Sequence, residues 1–369
     1  MSIESHHLPW LVLHLVPGVT GPRLLRLLEA RGTPDALQHC SPAELRALGW
    51  PTELAQQVVL AARDPWRYLP DLKVVANWAA RPGHRLLTPA DEDYPAMFMR
   101  LLPDPPPVLY LQGNARLLHE PHLAVVGSRR PGATNRQLTR DWCAQLAASG
   151  LVISSGLARG IDAAAHRGTL DGGGRTLAVM GSGLDNVYPV GHEALVEEIL
   201  AADGAVLSEL APETPPYAAN FPRRNRLVAA LAEAVLVVEA ARRSGSLITA
   251  RLAGEYGRDV LALPGHPNAE GSAGTNDLIA DGAMLVDHWQ KVAALFPHLQ
   301  QTAESDSNLE LSGTQARLFA AIGTLPTALE TLAVTLECEP TELYEPLLEL
   351  ELAGLVAAQG STYVRLRGP

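Results

Sequence analysis

A chain of 369 residues with 29 Lys and Arg against 40 Asp and Glu carries a formal net charge of −11. That length exceeds one ordinary core and predicts two or three domains. The charge excludes a bulk polyanion binder, which is normally basic overall, and leaves a local arginine cluster as the route to a nucleic acid.

Residues 301–369 hold ten acidic residues and three arginines, a balance of −7, so the first 300 residues carry only −4. Lysine occurs only as Lys73 and Lys291, a bias that also fits a GC-rich genome and is given no functional weight. Cys40, Cys143 and Cys338 are far apart and form no CxxC or metal spacing. The expectation is a reducing, cytoplasmic protein. Met1–His14 lacks a basic start and a long apolar run, and no stretch approaches 18 apolar residues, so neither a leader nor a membrane partner is expected.

In chain order, residues 1–80 predict a small helical domain. Leu11 to Pro22 leads into Leu24, Leu25, Leu27 and Leu28, and Ser41-Pro42 places a proline for helix entry before a segment reaching Val59. Both units resemble the SAM-like and helix–hairpin–helix class, whose Pro-Gly turn can hold a DNA phosphate on its amides. A plain helical bundle packed on its neighbour is the competing reading. Residues 81–120, rich in proline at Pro103 and Pro105-Pro106-Pro107, predict an extended connector at the start of a central domain over 81–295.

From His122 strands and helices alternate. The predicted strands are Leu123–Val126, Leu151–Ser154, Thr176–Met180, Ala205–Glu209, Ala234–Glu239 and Asp259–Leu263, with helix-length stretches such as Asn135–Ala148 and Ile161–Leu170 between them. Near-continuous apolar strands separated by helices predict a Rossmann-like α/β domain, a parallel sheet covered on both faces. Gln301–Ser312 reads as a polar linker. Helices at Thr314–Ile322, Thr327–Leu336 and Thr341–Leu352 precede a hairpin of Val356–Ala358 and Tyr363–Leu366 around Gly360-Ser361. That order predicts a winged helix over 310–369.

Three loops gather arginine beside glycine and serine: Gly127-Ser128-Arg129-Arg130, Pro222-Arg223-Arg224-Asn225-Arg226 and Arg242-Arg243-Ser244-Gly245-Ser246. Strand ends and helix starts of a parallel sheet share one edge, so these loops can surround a phosphate site with seven arginines. Ser155-Gly156 adds a turn at a helix start, with Arg159 beyond it, where amides and the dipole favour anions. Arg129, Arg224 and Arg226 are the expected direct phosphate contacts. Phe221 and Tyr217 are the nearest aromatics able to stack on a base, with domain packing as the alternative role. Asp162 and His166, four apart, share a helix face; such pairs are structural more often than acid–base. There is no HExxH, GxxxxGK[ST] or GxSxG, the glycine pattern for a dinucleotide is incomplete, and the twelve histidines are scattered. No catalytic residue, cofactor or metal site is expected.

The succession Val125-Val126-Gly127-Ser128-Arg129, Ser155 to Asp162 with His166, Gly183-Leu184-Asp185 with Tyr188-Pro189, Phe221 to Arg226, Ser244 to Ala250 and Pro264-Gly265 resembles the DprA (Smf) family of natural transformation. The likeness runs over residues 88–287 and loosens at Pro267–Gly274. It implies a non-enzymatic protein that binds and protects incoming single-stranded DNA and loads the RecA recombinase onto it. It also implies a homodimer, with Leu278, Ile279 and Met284 as candidate interface residues. Two other readings stand beside it. A nucleotide phosphoribohydrolase would need a Pro-Gly-Gly-x-Gly-Thr-x-x-Glu loop where Arg243 to Thr249 stands. A duplex-binding regulator would need a basic recognition helix where Glu342, Glu345, Glu349 and Glu351 stand, and those carboxylates repel phosphates.

Overall fold

The computed structural model describes residues 3–296, 313–322, 327–336, 338–352, 355–359 and 362–365. The expected linker Gln301–Ser312 and the turn Gly360-Ser361 lie outside the described residues. The chain divides into two compact units, Met1–Gln300 and Gln301–Pro369.

The first unit is built on a nine-stranded sheet of β1 (His84–Leu87), β2 (Leu109–Gly113), β3 (His122–Val126), β4 (Val152–Ser155), β5 (Thr176–Val179), β6 (Ala205–Ser208), β7 (Ala234–Val237), β8 (Asp259–Ala262) and β9 (Met284–Leu285). Its order is β1-β2-β6-β5-β4-β3-β7-β8-β9. The six expected strands are β3 to β8, and all pair in parallel. Leu123, Ala124 and Val125 of β3 are fully buried, as a strand covered by helices on both faces requires. The chain runs outward from β3 through β4, β5 and β6, then returns to β7 on the other side of β3. The switch in strand order therefore opens a crevice at the carboxyl ends of β3 and β7.

Residues 81–120 are not a connector. They supply β1 and β2, antiparallel to each other and to β6, with a helix at Ala96–Leu101 between them. The prolines suggested a loop, but they stand outside the ladder, and Leu109, Tyr110 and Leu111 behind them are fully buried.

Helices at Leu8–Leu15, Gly21–Arg31, Pro42–Ala47, Thr52–Arg63 and Leu72–Ala79 form the expected N-terminal group. Pro42 sits at a helix start, and Ser41 and Glu44 make a reciprocal capping box. This group shares a core with the sheet. Trp10, Leu13, Leu24 and Trp78 belong to one buried cluster with Val108, Tyr110, Ala178 and Met180.

The second unit has helices at Gly313–Ala321, Leu329–Leu336 and Tyr344–Leu352 and an antiparallel sheet of β10 (Thr327–Ala328), β11 (Val356–Gln359) and β12 (Thr362–Arg365). This is a winged helix. Its middle helix begins at Leu329 because Thr327 and Ala328 pair with Tyr363 and Thr362. Leu318, Phe319, Leu332, Leu347 and Val356 fill its core.

Candidate nucleic-acid interface

The loop after β3 leaves the sheet at Gly127, where a Cβ would stand 2.7 Å from Ile161. Ser128 is committed to neighbours through both its amide and its carbonyl. Ser128 N–H donates to Glu239 O (2.7 Å), and Ser128 O accepts from Ile161 N–H (3.1 Å). Gly160 holds φ +83°, and a Cβ there would meet Ser128 O at 2.3 Å. The two loops pack so closely that only glycine fits between them.

The turn after β4 is also occupied. Ser155 Oγ donates to Val125 O (2.6 Å), while the amides of Gly156 and Ala158 donate to Asp162 Oδ2 at 3.1 and 3.2 Å. The sequence offers these amides to a phosphate, but in the fold the Asp162 carboxylate takes them. Burial pushes Asp162 up, opposed by the Arg224 guanidinium and the two amides. His166, one turn on, meets Thr176 Oγ1 (2.7 Å), and burial pushes it down to about 3. Asp162 and His166 thus serve different partners and do not work as an acid–base pair.

The helix Asn220–Leu231 brings in the second arginine loop. Arg224 is buried at 4% exposure; its Nη1 donates to Gly156 O (2.5 Å) and to Val179 O. Burial lowers it to about 10, against the pull of Asp162. Arg226 is buried too and pairs with Glu209, away from the crevice. The expectation that Arg224 and Arg226 reach freely for phosphates is therefore revised. Helical phase decides it: Arg226 turns inward, and Arg224 forms the floor. Arg223 is exposed but lies 3.2 Å from both Asp104 and Glu209.

What the loops enclose is a groove of about 730 Å³ at the switch point. Gly127, Ser128, Arg129 and Gly156 line it from the first two loops, Phe221, Arg224 and Asn225 from the helix, and Arg243, Ser244, Gly245 and Ser246 from the last loop. Ser155, Arg159, Arg223, Arg226 and Tyr217 are not among its lining residues. Arg129, Arg130 and Arg243 are exposed, and among the described residues no carboxylate lies within ion-pair distance of them. Arg242, next in sequence, is held by Asp277 at 2.7 Å. Tyr188 is an addition to the expected set. It is 40% exposed, its ring lies 5.2 Å from that of Phe221, and the only sequence signal was its place in the Tyr188-Pro189 motif.

The helix start that follows the Pro17-Gly18 turn offers less. Gly21 N–H donates to Asp104 Oδ1 at 2.5 Å, so that amide already holds a carboxylate. Of the expected interface residues, Met284 is 41% exposed on the edge strand β9, while Leu278 is half-buried against the core. No helix of the described residues is long and apolar enough to cross a membrane.

Fold and site together define a Rossmann-like protein with an arginine-rimmed groove at its sheet switch point and an appended winged helix. The model of the DNA recombination-mediator protein A family matches residues 85–297, and that of the DprA winged helix domain matches 302–360. Protein Smf of Escherichia coli is 39% identical over 324 residues, 85% of this chain and 86% of its own. The DNA processing protein DprA of Streptococcus pneumoniae is 46% identical over 195 residues, 52% of this chain and 68% of its own. The X-ray structure of the latter protein covers 80% of this chain and 98% of its own, with 33% identity and a TM-score of 0.67. A structure of DNA processing protein A from Helicobacter pylori, described for its single-stranded DNA binding mode, covers 58% of this chain and 96% of its own, with 33% identity and a TM-score of 0.52. The chain belongs to the DprA/Smf family of DNA-processing proteins.

Proposed function

We propose that this protein binds single-stranded DNA in the switch-point groove and delivers it to the RecA recombinase during transformation, acting as a binding protein rather than an enzyme. One observation carries the reading: Arg129, Arg130 and Arg243 ring the groove without carboxylate partners among the described residues, beside the exposed ring of Tyr188 and the Phe221 face. Unpaired guanidinium groups hold phosphates, and aromatic faces hold unstacked bases. A concave groove whose lining helix is packed into the fold leaves no helix free to enter a major groove, which favours single strands over duplex. The relative from Helicobacter pylori, described for binding single-stranded DNA, supports the same choice.

The acting form is a homodimer. Met284 and Leu285 are 41% and 40% exposed on β9, whose outer edge has no strand beside it among the described residues, so a second copy can pair there. The test of the whole reading is competition: labelled oligo-dT bound to the full chain, challenged with unlabelled single strand or duplex of equal length. Single strand displaces the label and duplex competes poorly; equal competition by duplex contradicts the proposal.

A further inference from the structure

The 3-10 turn Ser5–His7 at the start of the N-terminal helices meets the turn that follows β1. There His6, His7 and Asp91 converge, with one donor atom of each within 4.8 Å of the others. His6 Nε2 lies 2.9 Å from Asp91 Oδ1, and His7 Nε2 lies 3.2 Å from Oδ1 and 3.1 Å from Oδ2. We propose that His6, His7 and Asp91 form a zinc(II) site that ties the N-terminal helices to the central sheet.

The donor set fits this ion. Two imidazole nitrogens and a carboxylate oxygen are zinc ligands, and a tetrahedral ion bound at 2.0–2.1 Å keeps its ligands about 3.3 Å apart. The two histidine–carboxylate separations need only a slight widening, and the two imidazole donor atoms lie within 4.8 Å of each other. The surroundings also fit, because Asp91 and His6 each have their other polar atom beside a partner. Asp91 Oδ2 accepts from Thr88 N–H and Thr88 Oγ1, both at 2.7 Å, which fixes the carboxylate with Oδ1 on His6 and His7 facing both oxygens. His6 Nδ1 lies 3.5 Å from Glu4 Oε2, the carboxylate–histidine arrangement that directs Nε2 to a metal. His7 is 7% exposed and Asp91 is partly buried, while His6 is 40% exposed in its side chain, so the fourth position faces solvent. A mere pair of hydrogen bonds from two imidazoles to one carboxylate is the competing account. The site has no sequence signature, because adjacent histidines near the start and an aspartate more than 80 residues on share no spacing motif.

The test uses the full chain, free of any affinity tag and stripped with a chelator, titrated with zinc chloride against a chromophoric chelator. The parent binds one zinc per chain, and cobalt(II) in its place gives the visible bands of a tetrahedral site. His6→Ala, His7→Ala and Asp91→Asn lose that zinc, while His39→Ala, exposed and outside the cluster, keeps it. Glu4→Gln, at a side chain 72% exposed, keeps the Glu4 carbonyl that caps the turn and weakens binding by about 10- to 100-fold through the loss of the carboxylate beside His6. The Glu4 and His6 variants keep the test decisive should His7→Ala fail to fold. Absence of zinc binding in the parent, or zinc held equally by the parent, His6→Ala and Asp91→Asn, overturns the proposal.

Discussion

The guanidinium of Arg129 lies over the ring of Phe221, 5.7 Å from its centroid. The same ring stands 5.2 Å from Tyr188. A cation and an exposed aromatic face, the two elements the proposed DNA site needs, are thus held side by side by one phenylalanine.

Phe221→Ala should weaken oligo-dT binding by about 1–3 kcal/mol, the worth of one stacked base. Phe221→Trp should keep most of it. Anisotropy titration of a labelled oligonucleotide reads both, and an unchanged affinity for Phe221→Ala places base stacking elsewhere.

Arg226 acts in the fold rather than in the groove. Arg226→Met leaves Glu209 buried with only Arg223 nearby, at 3.2 Å. Removing one member of a buried pair costs about 3–5 kcal/mol, here toward the lower end because Arg223 remains. Urea unfolding should report that loss, and adding Glu209→Leu should recover much of it. Single-strand affinity of the folded Arg226→Met protein should stay near that of the parent. A large loss of affinity at unchanged stability returns Arg226 to the DNA site.

Stability should fall as pH drops below 6.5. Burial holds His14 and His122 down to about 4 and His166 down to about 3. The unfolded chain takes up these protons near pH 6.5, whereas the native chain does so only near 4 or below. The stabilisation is therefore complete above 6.5 and is lost as pH falls through the folded values, by up to about 1.4 kcal/mol per pH unit per histidine. Asp162 and Glu209, raised by burial, act in the opposite direction from their raised folded values down to the ordinary carboxylate range. His122→Gln can keep the donation to Leu117 O and removes one titrating group. Its unfolding free energy should vary less steeply between pH 6.5 and 4, and an equal slope contradicts the assignment.

The winged helix should contribute little to DNA affinity. Glu342, Glu345, Glu349 and Glu351 are exposed, and residues 301–369 carry a balance of −7. Tyr344 and Leu348, 56% and 55% exposed beside those carboxylates, suit a protein contact better than a phosphate backbone. Deleting Gln301–Pro369 should leave affinity within about threefold, roughly 0.7 kcal/mol. A folded truncation that binds tenfold more weakly contradicts the charge argument.

The sheet was legible because β3 to β8 are short apolar runs bounded by glycine loops, a pattern with few alternative folds. The prolines before β2 hid two strands, since a proline-rich approach and a buried strand read differently only once the register is known. In the groove, sequence position identified the loops but not the rotation of the helix Asn220–Leu231, so Arg224 and Arg226 read as free when both are buried. Asp162 filling the Gly156 turn was likewise hidden, because the same carboxylate reads as helix-dipole decoration. The cluster of His6, His7 and Asp91 depends on tertiary contact alone.

The most direct test of the account is the salt dependence of single-strand binding by the parent and by Arg129→Ala/Arg243→Ala. With three or four phosphates neutralised, the parent's log–log slope should be roughly −2 to −3. The double variant should be flatter by about 1.4, from two lost contacts at about 0.7 each, and should weaken all sequences alike. A parent insensitive to salt, or a double variant with the parent's slope and affinity, contradicts the assignment of this groove as the DNA site.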